Sequence, residues 1–117
     1  MDFQNLQTYL VPAALVGFVV WRFLRFRGVR KQLPSLLAQG AVVVDVRSQN
    51  EFSSGAREGS INIPLDVLGS EMKRFDPKKP IVLCCASGTR SGIAMALLKR
   101  KGFKSVYNAG PWRNTVL

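Results

Sequence analysis

The stretch from Cys84 to Gly92, CCASGTRSG, contains both cysteines of a 117-residue chain that has no histidine. A cysteine acts as a nucleophile only as a thiolate, and the missing histidine excludes a Cys–His pair and protease-type chemistry. Inward-facing backbone N–H groups and the positive end of a following helix can stabilise a thiolate instead. Arg90 adds a full positive charge. We therefore interpret Cys85 as a nucleophile whose pKa is depressed by these groups.

The two cysteines have different predicted roles. Cys84 falls inside an apolar strand pattern and is interpreted as a buried strand residue, whereas Cys85 lies where the strand meets the loop. Because a disulfide between adjacent cysteines is strained, we expect both to be reduced, which fits a cytoplasmic environment. No Cys/His spacing suggests zinc. We expect neither a metal nor a cofactor.

The distance from the cysteine to the arginine favours sulfur over phosphate. Cysteine-dependent phosphatases place arginine at the sixth position after the cysteine, and that position here is Ser91. Arg90 comes at the fifth position, so the loop from Cys85 to Arg90 is shorter and makes a smaller cradle. A phosphatase or an arsenate reductase is therefore the disfavoured alternative.

The rest of the chain alternates between strand and helix patterns. An apolar run such as AVVVDV is typical of a strand buried on both faces. Strands in this rhythm predict a mostly parallel sheet covered on both faces, with a site beyond the carboxyl ends of its strands. The predicted strands are Ala41–Val46, Ser60–Ile63, Ile81–Cys85 and Lys104–Tyr107, and the predicted helices are Gln32–Ala38 ending at Gly40, a short helix capped by Ser48 with Glu51, Asp66–Phe75 and Ser91–Lys101.

The N-terminal segment has the pattern of a membrane anchor. No charged residue lies between Phe3 and Trp21, and Leu10–Trp21 is apolar on every side of a helix. This length is close to the roughly 20 residues that cross a bilayer. We predict an anchor domain at 1–27, with residues 9–26 in the membrane, and a second domain at 28–117. The alternative is a buried core helix of a soluble protein, for which shorter apolar runs are common.

Charge predicts the orientation of this anchor. A basic cluster directly follows the apolar run, which favours an inner (cytoplasmic) membrane protein with its N-terminus outside and its second domain in the cytoplasm. A cleavable signal peptide would carry its charges before the run. The net charge of +10 could also suggest nucleic acid, but the other basic residues are scattered, so we expect no nucleic-acid partner. The cluster consists of Arg22, Arg25, Arg27, Arg30 and Lys31.

Three segments resemble the single-domain rhodanese family of sulfurtransferases, in its membrane-anchored form. They are DVRSQNEFSSGAREGSINIP from Asp45 to Pro64, the loop CASGTR, and SVYNAGPW from Ser105 to Trp112. The resemblance covers roughly Leu33 to Trp112. It implies an α/β fold, a rhodanese-like three-layer sandwich around the parallel sheet, here preceded by one transmembrane helix.

The resemblance also implies a mechanism. Cys85 would take the outer sulfur of a small donor, thiosulfate or a related compound, carry it as a persulfide, and pass it to a thiol or cyanide. The N–H groups of the loop would hold the sulfur anion, and Arg90 would help to bind an anionic donor. Ala86 stands where thiosulfate-preferring members often have arginine. The implied binding residues are Ala86, Ser87, Gly88, Thr89 and Arg90.

Asp45, Arg47 and Glu51 are expected to tie a strand to a helix rather than to take part in the reaction.

The alternative to an enzyme is a membrane-tethered relay or binding module that accepts persulfide sulfur from a partner and has little turnover on small donors.

Overall fold

The first element is one uninterrupted helix, α1, which runs from Phe3 to Ala38 in the computed structural model; the structure describes residues 3–117. The helix predicted at Gln32–Ala38 is therefore the last part of a longer helix that begins in the apolar segment. The helix ends before Gly40, as predicted, and this glycine has a φ of +86°. A positive φ is the usual conformation of a residue that stops a helix.

The two halves of α1 have different surroundings. Residues 5–21 are exposed, with Tyr9 at 75% and Phe23 just beyond at 64%, so this half is not part of the chain's core. Further along, Phe26, Leu33 and Leu36 are buried on one face of the helix. Among the described elements, α1 is the one helix long and apolar enough to span a membrane.

A four-stranded sheet forms the centre of the domain. The strands are β1 (Val42–Asp45), β2 (Ile61–Asn62), β3 (Ile81–Cys85) and β4 (Val106–Pro111). Their order is β2-β1-β3-β4, and each neighbouring pair is parallel. The connecting helices are α2 (Gln49–Ser53), α3 (Leu65–Leu68) and α4 (Thr89–Arg100), with 3₁₀ turns at Met72–Arg74 and Trp112–Thr115.

Helices cover both faces of this sheet. Leu33 and Leu36 of α1 pack with Cys84 on one face. Ala94 and Leu98 of α4 pack with Cys85 on the other face. Successive residues of a strand point to opposite faces, so each strand contributes to both clusters. This arrangement confirms the predicted three-layer α/β fold.

Several boundaries differ from the predictions. The helix predicted at Asp66–Phe75 is wrong as one element, because it stops at Leu68 and a 3₁₀ turn follows; the intervening Gly69-Ser70 are weak helix formers. Helix α3 begins after Pro64, so Asp66 lies in the first turn of this helix and does not cap it. Helix α4 begins at Thr89 rather than Ser91, and β4 extends to Pro111 because it stays paired with β3 up to Cys85.

Candidate active site

Cys85 is the last residue of β3, at the carboxyl end of a central strand. The loop that follows turns into α4 at Gly88, whose φ is +100°. A side chain at this position would also collide with the ring of Phe26, since an added Cβ would lie 2.6 Å from it. Glycine is therefore required where the loop closes around the sulfur. Gly88 is buried, whereas Ala86, Ser87 and Thr89 are exposed.

The sulfur of Cys85 accepts hydrogen bonds from the start of α4. The N–H of Gly88 lies 2.9 Å from Sγ, and the N–H of Ser91 lies 3.5 Å from it. The hydroxyl of Ser91 is 3.3 Å away. Of the loop donors predicted from the sequence, Gly88 is in direct contact, while Ser91 lies one residue beyond the predicted set.

These contacts lower the pKa of Cys85. Burial of the thiol acts in the opposite direction, because it disfavours the charged form. The Ser91 hydroxyl and the N–H groups of Ser91, Ser87 and Gly88 together outweigh burial, so the pKa falls below its ordinary value of 9.0. The site therefore stabilises the thiolate form of Cys85 without a histidine.

Ser91 belongs to a buried network that sequence reasoning missed. Its hydroxyl is 2.7 Å from Oδ1 of Asn108, and this oxygen also accepts the N–H of Gly110 at 2.9 Å. The amide nitrogen of Asn108 donates to the carbonyl of Gly88 at 3.3 Å. A serine hydroxyl has one proton. Ser91 can thus give that proton either to Asn108 or to the sulfur of Cys85.

An irregularity in β4 puts Asn108 in this position. Leu83 pairs with Asn108 whereas Cys84 pairs with Gly110, so the register shifts by one residue. Such bulges re-aim side chains and are frequent beside active sites. The asparagine of the closing segment SVYNAGPW was visible in the sequence, but its contact with Ser91 depends on this shift.

Arg90 forms a salt bridge with Glu51. Its two terminal nitrogens donate to the carboxylate at 2.6 and 2.9 Å. Arg90, followed by the backbone of Ser48, lowers the pKa of Glu51 to about 2, and Glu51 in turn raises the pKa of Arg90. The hydrogen bonds on the Cys85 sulfur come from Gly88 and Ser91, and not from the guanidinium of Arg90. The binding of a donor by Arg90 stays a prediction.

Asp45 and Arg47 form a buried structural pair. The guanidinium of Arg47 contacts both carboxylate oxygens of Asp45, with the shortest contact at 2.7 Å. It also donates to the carbonyls of Glu51 and Gly55. The pair therefore joins the end of β1 to α2 and to the segment that follows it.

Cys84 lies in a different environment from Cys85. It is a free, fully buried thiol in the cluster on the α1 face. Burial raises the pKa of Cys84, and the carboxylate of Asp45 raises it further. This residue remains protonated, as expected for an unreactive strand cysteine.

A parallel sheet with a cysteine in an N–H cradle at the end of a central strand defines the α/β class of this domain. The family described as rhodanese-like domain matches residues 29–109. The chain therefore belongs to the rhodanese-like family, as its three sequence segments had indicated.

Individual proteins of known sequence or structure are also similar to this chain. The chain is 38% identical to uncharacterized protein YqhL of Bacillus subtilis over 89% of this chain and 86% of that protein. It is 34% identical to thiosulfate sulfurtransferase GlpE of Pseudomonas syringae, over 73% and 84%. The solved structure of human single-domain sulfurtransferase TSTD1 matches with a TM-score of 0.61 and 32% identity, over 74% and 90%. Two of these relatives, GlpE and TSTD1, are named as sulfurtransferases, which supports sulfur transfer in general.

Proposed function

We propose that this protein is a sulfurtransferase that carries sulfane sulfur as a persulfide on Cys85. The observation that carries the proposal is the Gly88 N–H at 2.9 Å from Cys85 Sγ, in a cradle that lowers the pKa of this thiol. The names of relatives such as GlpE and TSTD1 support the same reaction class.

The reaction has two steps. The Cys85 thiolate attacks the outer sulfur of thiosulfate, and a bond forms between Cys85 Sγ and that sulfur. The S–S bond of thiosulfate breaks at the same time, and sulfite leaves with the bonding electrons. Cyanide or a thiolate then attacks the outer sulfur of the persulfide, and the Cys85 thiolate leaves. Charge is negative on sulfur throughout, so the N–H groups of Gly88 and Ser91 stabilise each state.

The site is tethered to a membrane by residues 9–26. The exposed, apolar surface of α1 over residues 5–21 supports this proposal, because the domain leaves it uncovered. The basic residues from Arg22 to Lys31 support a cytoplasmic position of the domain and an outside position of the N-terminus. Extraction of the full chain without detergent into a soluble fraction would contradict the tether.

A persulfide relay is the second candidate. It is favoured by Ala86, which stands where arginine is frequent in thiosulfate-preferring members. In this version the donor is a partner persulfide, and turnover of thiosulfate is slow.

The deciding experiment measures thiocyanate formed from cyanide with thiosulfate or 3-mercaptopyruvate as donor. We expect turnover by the wild-type chain and none by Cys85→Ser. Absence of turnover together with stable gain of one sulfur atom on Cys85 would favour the relay. Activity that survives in Cys85→Ser would contradict the proposed nucleophile.

A further inference from the structure

A cleft of about 770 Å³ lies between α1 and the loops at the carboxyl end of the sheet. One wall is α1 from Val19 to Pro34, and the other wall includes Ala86 and Pro111. Cys85 does not line this cleft, because its fully buried side chain packs on the α4 face of the sheet. The cleft is therefore separate from the sulfur site, and the function proposed above does not use it.

The residues of α1 that line the cleft form one stripe along the helix. They recur every three or four residues from Val19 to Pro34, which is the spacing of a single helix face. The stripe changes in character along its length, because Val19 and Phe23 are apolar whereas the part from Arg27 to Lys31 is basic. An occupant of the cleft thus meets an apolar segment and a basic segment in succession.

The basic residues of this cleft have no acidic partner. The sequence contains no aspartate or glutamate between Asp2 and Asp45. None of the salt bridges among residues 3–117 involves a cation of α1. Uncompensated positive charges along one cleft favour an anionic occupant. These charges belong to Arg22, Arg27, Arg30 and Lys31.

The basic end of the cleft is held in place by the domain. The guanidinium carbon of Arg22 lies 5.8 Å from the ring centre of Phe26, which is one helical turn closer to that end. Long basic side chains beside an apolar surface commonly extend toward water in this way. The ring of Phe26 packs on Gly88 and Gly110, since a Cβ at either glycine would lie 2.6 Å from a ring carbon. The cleft is therefore a formed site with two walls, and not a bare helix surface.

The dimensions of the stripe match the surface of one leaflet. The basic part from Arg27 to Lys31 covers about 6 Å of the helix axis. The headgroup layer on each side of a bilayer is about 5 to 8 Å thick. With residues 9–26 in the membrane, as proposed above, this basic part lies at the depth of the cytoplasmic headgroups. Val19 and Phe23 then lie at the depth of the acyl chains, and Phe23 is 64% exposed and accessible to them.

We propose that this cleft binds an anionic phospholipid of the surrounding bilayer. The phosphodiester group of the lipid contacts Arg27, Arg30 and Lys31, and one acyl chain follows Val19 and Phe23. Basic pockets on the cytoplasmic side of membrane helices suit such headgroups. The inference rests on the proposed membrane tether and goes beyond it. The lipid contacts both α1 and the loop after Cys85, so it fixes the domain against the membrane surface.

The first test measures which lipids stay bound to the protein. The full chain in a non-ionic detergent is titrated with phosphatidylglycerol or with phosphatidylcholine of the same acyl chains, and bound lipid is counted by native mass spectrometry. We expect phosphatidylglycerol to bind about fivefold more tightly or better, because of its net negative charge. Arg27→Gln should weaken its binding about tenfold, because a charge-assisted contact with the phosphate is lost. Arg25→Gln removes a neighbouring exposed cation outside the cleft and should change binding less than twofold.

The second test asks whether the acyl chain lies in the cleft. Phe23→Ala should weaken the binding of phosphatidylglycerol about fivefold, because it removes apolar contact surface. Leu24→Ala, at an exposed neighbour outside the cleft, is the matched control and should leave binding unchanged. Inorganic phosphate added as a competitor should not displace the lipid. Displacement by phosphate, or equal effects of Phe23→Ala and Leu24→Ala, would overturn the assignment of a phospholipid.

The outcomes separate this inference from the proposed function. Equal effects of Arg27→Gln and Arg25→Gln would indicate a general attraction to the charge of the anchor and would overturn the site. Equal binding of the two lipids by a chain that needs detergent for extraction would overturn it as well. Both results leave the tether and the sulfurtransferase intact. Extraction of the full chain without detergent overturns the tether and the lipid site together, whereas the sulfur chemistry is tested independently by thiocyanate formation.

Discussion

Cys84 and Cys85 are adjacent in β3, yet they lie on opposite faces of the sheet. Both are completely buried. Burial raises the pKa of Cys84, and no hydrogen bond to its sulfur compensates among those described. At Cys85 the donors of Gly88 and Ser91 outweigh burial and lower the pKa. Burial alone therefore does not decide the pKa of a cysteine, because the hydrogen-bond donors around the sulfur also shift it.

The largest expected effect comes from exchanging each cysteine separately. Cys85→Ser should lower sulfur transfer by at least about a thousandfold, because an alcohol is a far weaker nucleophile than a thiolate. Cys84→Ala should retain activity within about threefold, because this side chain faces α1. Steady-state thiocyanate formation checks both. Similar losses in the two variants would contradict the difference between the faces.

Ser91→Ala should produce the next largest effect. Loss of the hydroxyl removes one of the groups that lower the pKa of Cys85, so this pKa should rise. Each unit of increase reduces the thiolate at neutral pH about tenfold. The measurement is the rate of alkylation by iodoacetamide as a function of pH. Ser53→Ala, at an exposed serine of α2, is the matched control and should leave the profile unchanged.

The pH profile of each single-cysteine chain sharpens the same contrast. Deprotonation rises with pH, so a lowered pKa moves the midpoint of the alkylation rate to lower pH. In Cys84→Ala, which retains Cys85, the midpoint should lie below 9.0. In Cys85→Ser, which retains Cys84, no alkylation should occur over the range in which the protein is folded. A normal profile for Cys84 would contradict its assignment as a buried thiol.

The smallest expected effect is on stability. Cys84→Ala removes a buried sulfur between α1 and the sheet and should cost about 1 kcal/mol of unfolding free energy. Thermal unfolding in detergent micelles, compared with wild type, measures this cost. An unchanged or increased stability would contradict tight packing of Cys84 against α1.

Much of the fold could be predicted from local sequence patterns. The run AVVVDV and the apolar run that ends at Cys85 predicted two buried strands, and both form in the parallel sheet, where they are neighbours. The end of α1 before Gly40 could also be predicted, because the glycine that stops the helix is a local sequence signal. The continuity of α1 was less visible, since the charge cluster divides two patterns that one helix nevertheless joins.

The site was predicted less completely than the fold. The position of Cys85 at a strand end followed from the pattern, and the small residues after it indicated a cradle. The contact between Ser91 of α4 and Asn108 of β4 depends on a register shift in β4, and no local sequence pattern predicts such a shift. The engagement of Arg90 by Glu51 likewise depends on where α2 lies over the loop.

The most direct test of the central claim is the mass of the protein after one exposure to donor. Full-length Cys84→Ala and Cys85→Ser chains are incubated with thiosulfate and with 3-mercaptopyruvate, freed of the donor, and measured by intact mass spectrometry. We predict a gain of one sulfur atom on Cys84→Ala, removed by cyanide, and none on Cys85→Ser. Sulfur on Cys85→Ser, or none on Cys84→Ala with either donor, would contradict a persulfide carried by Cys85.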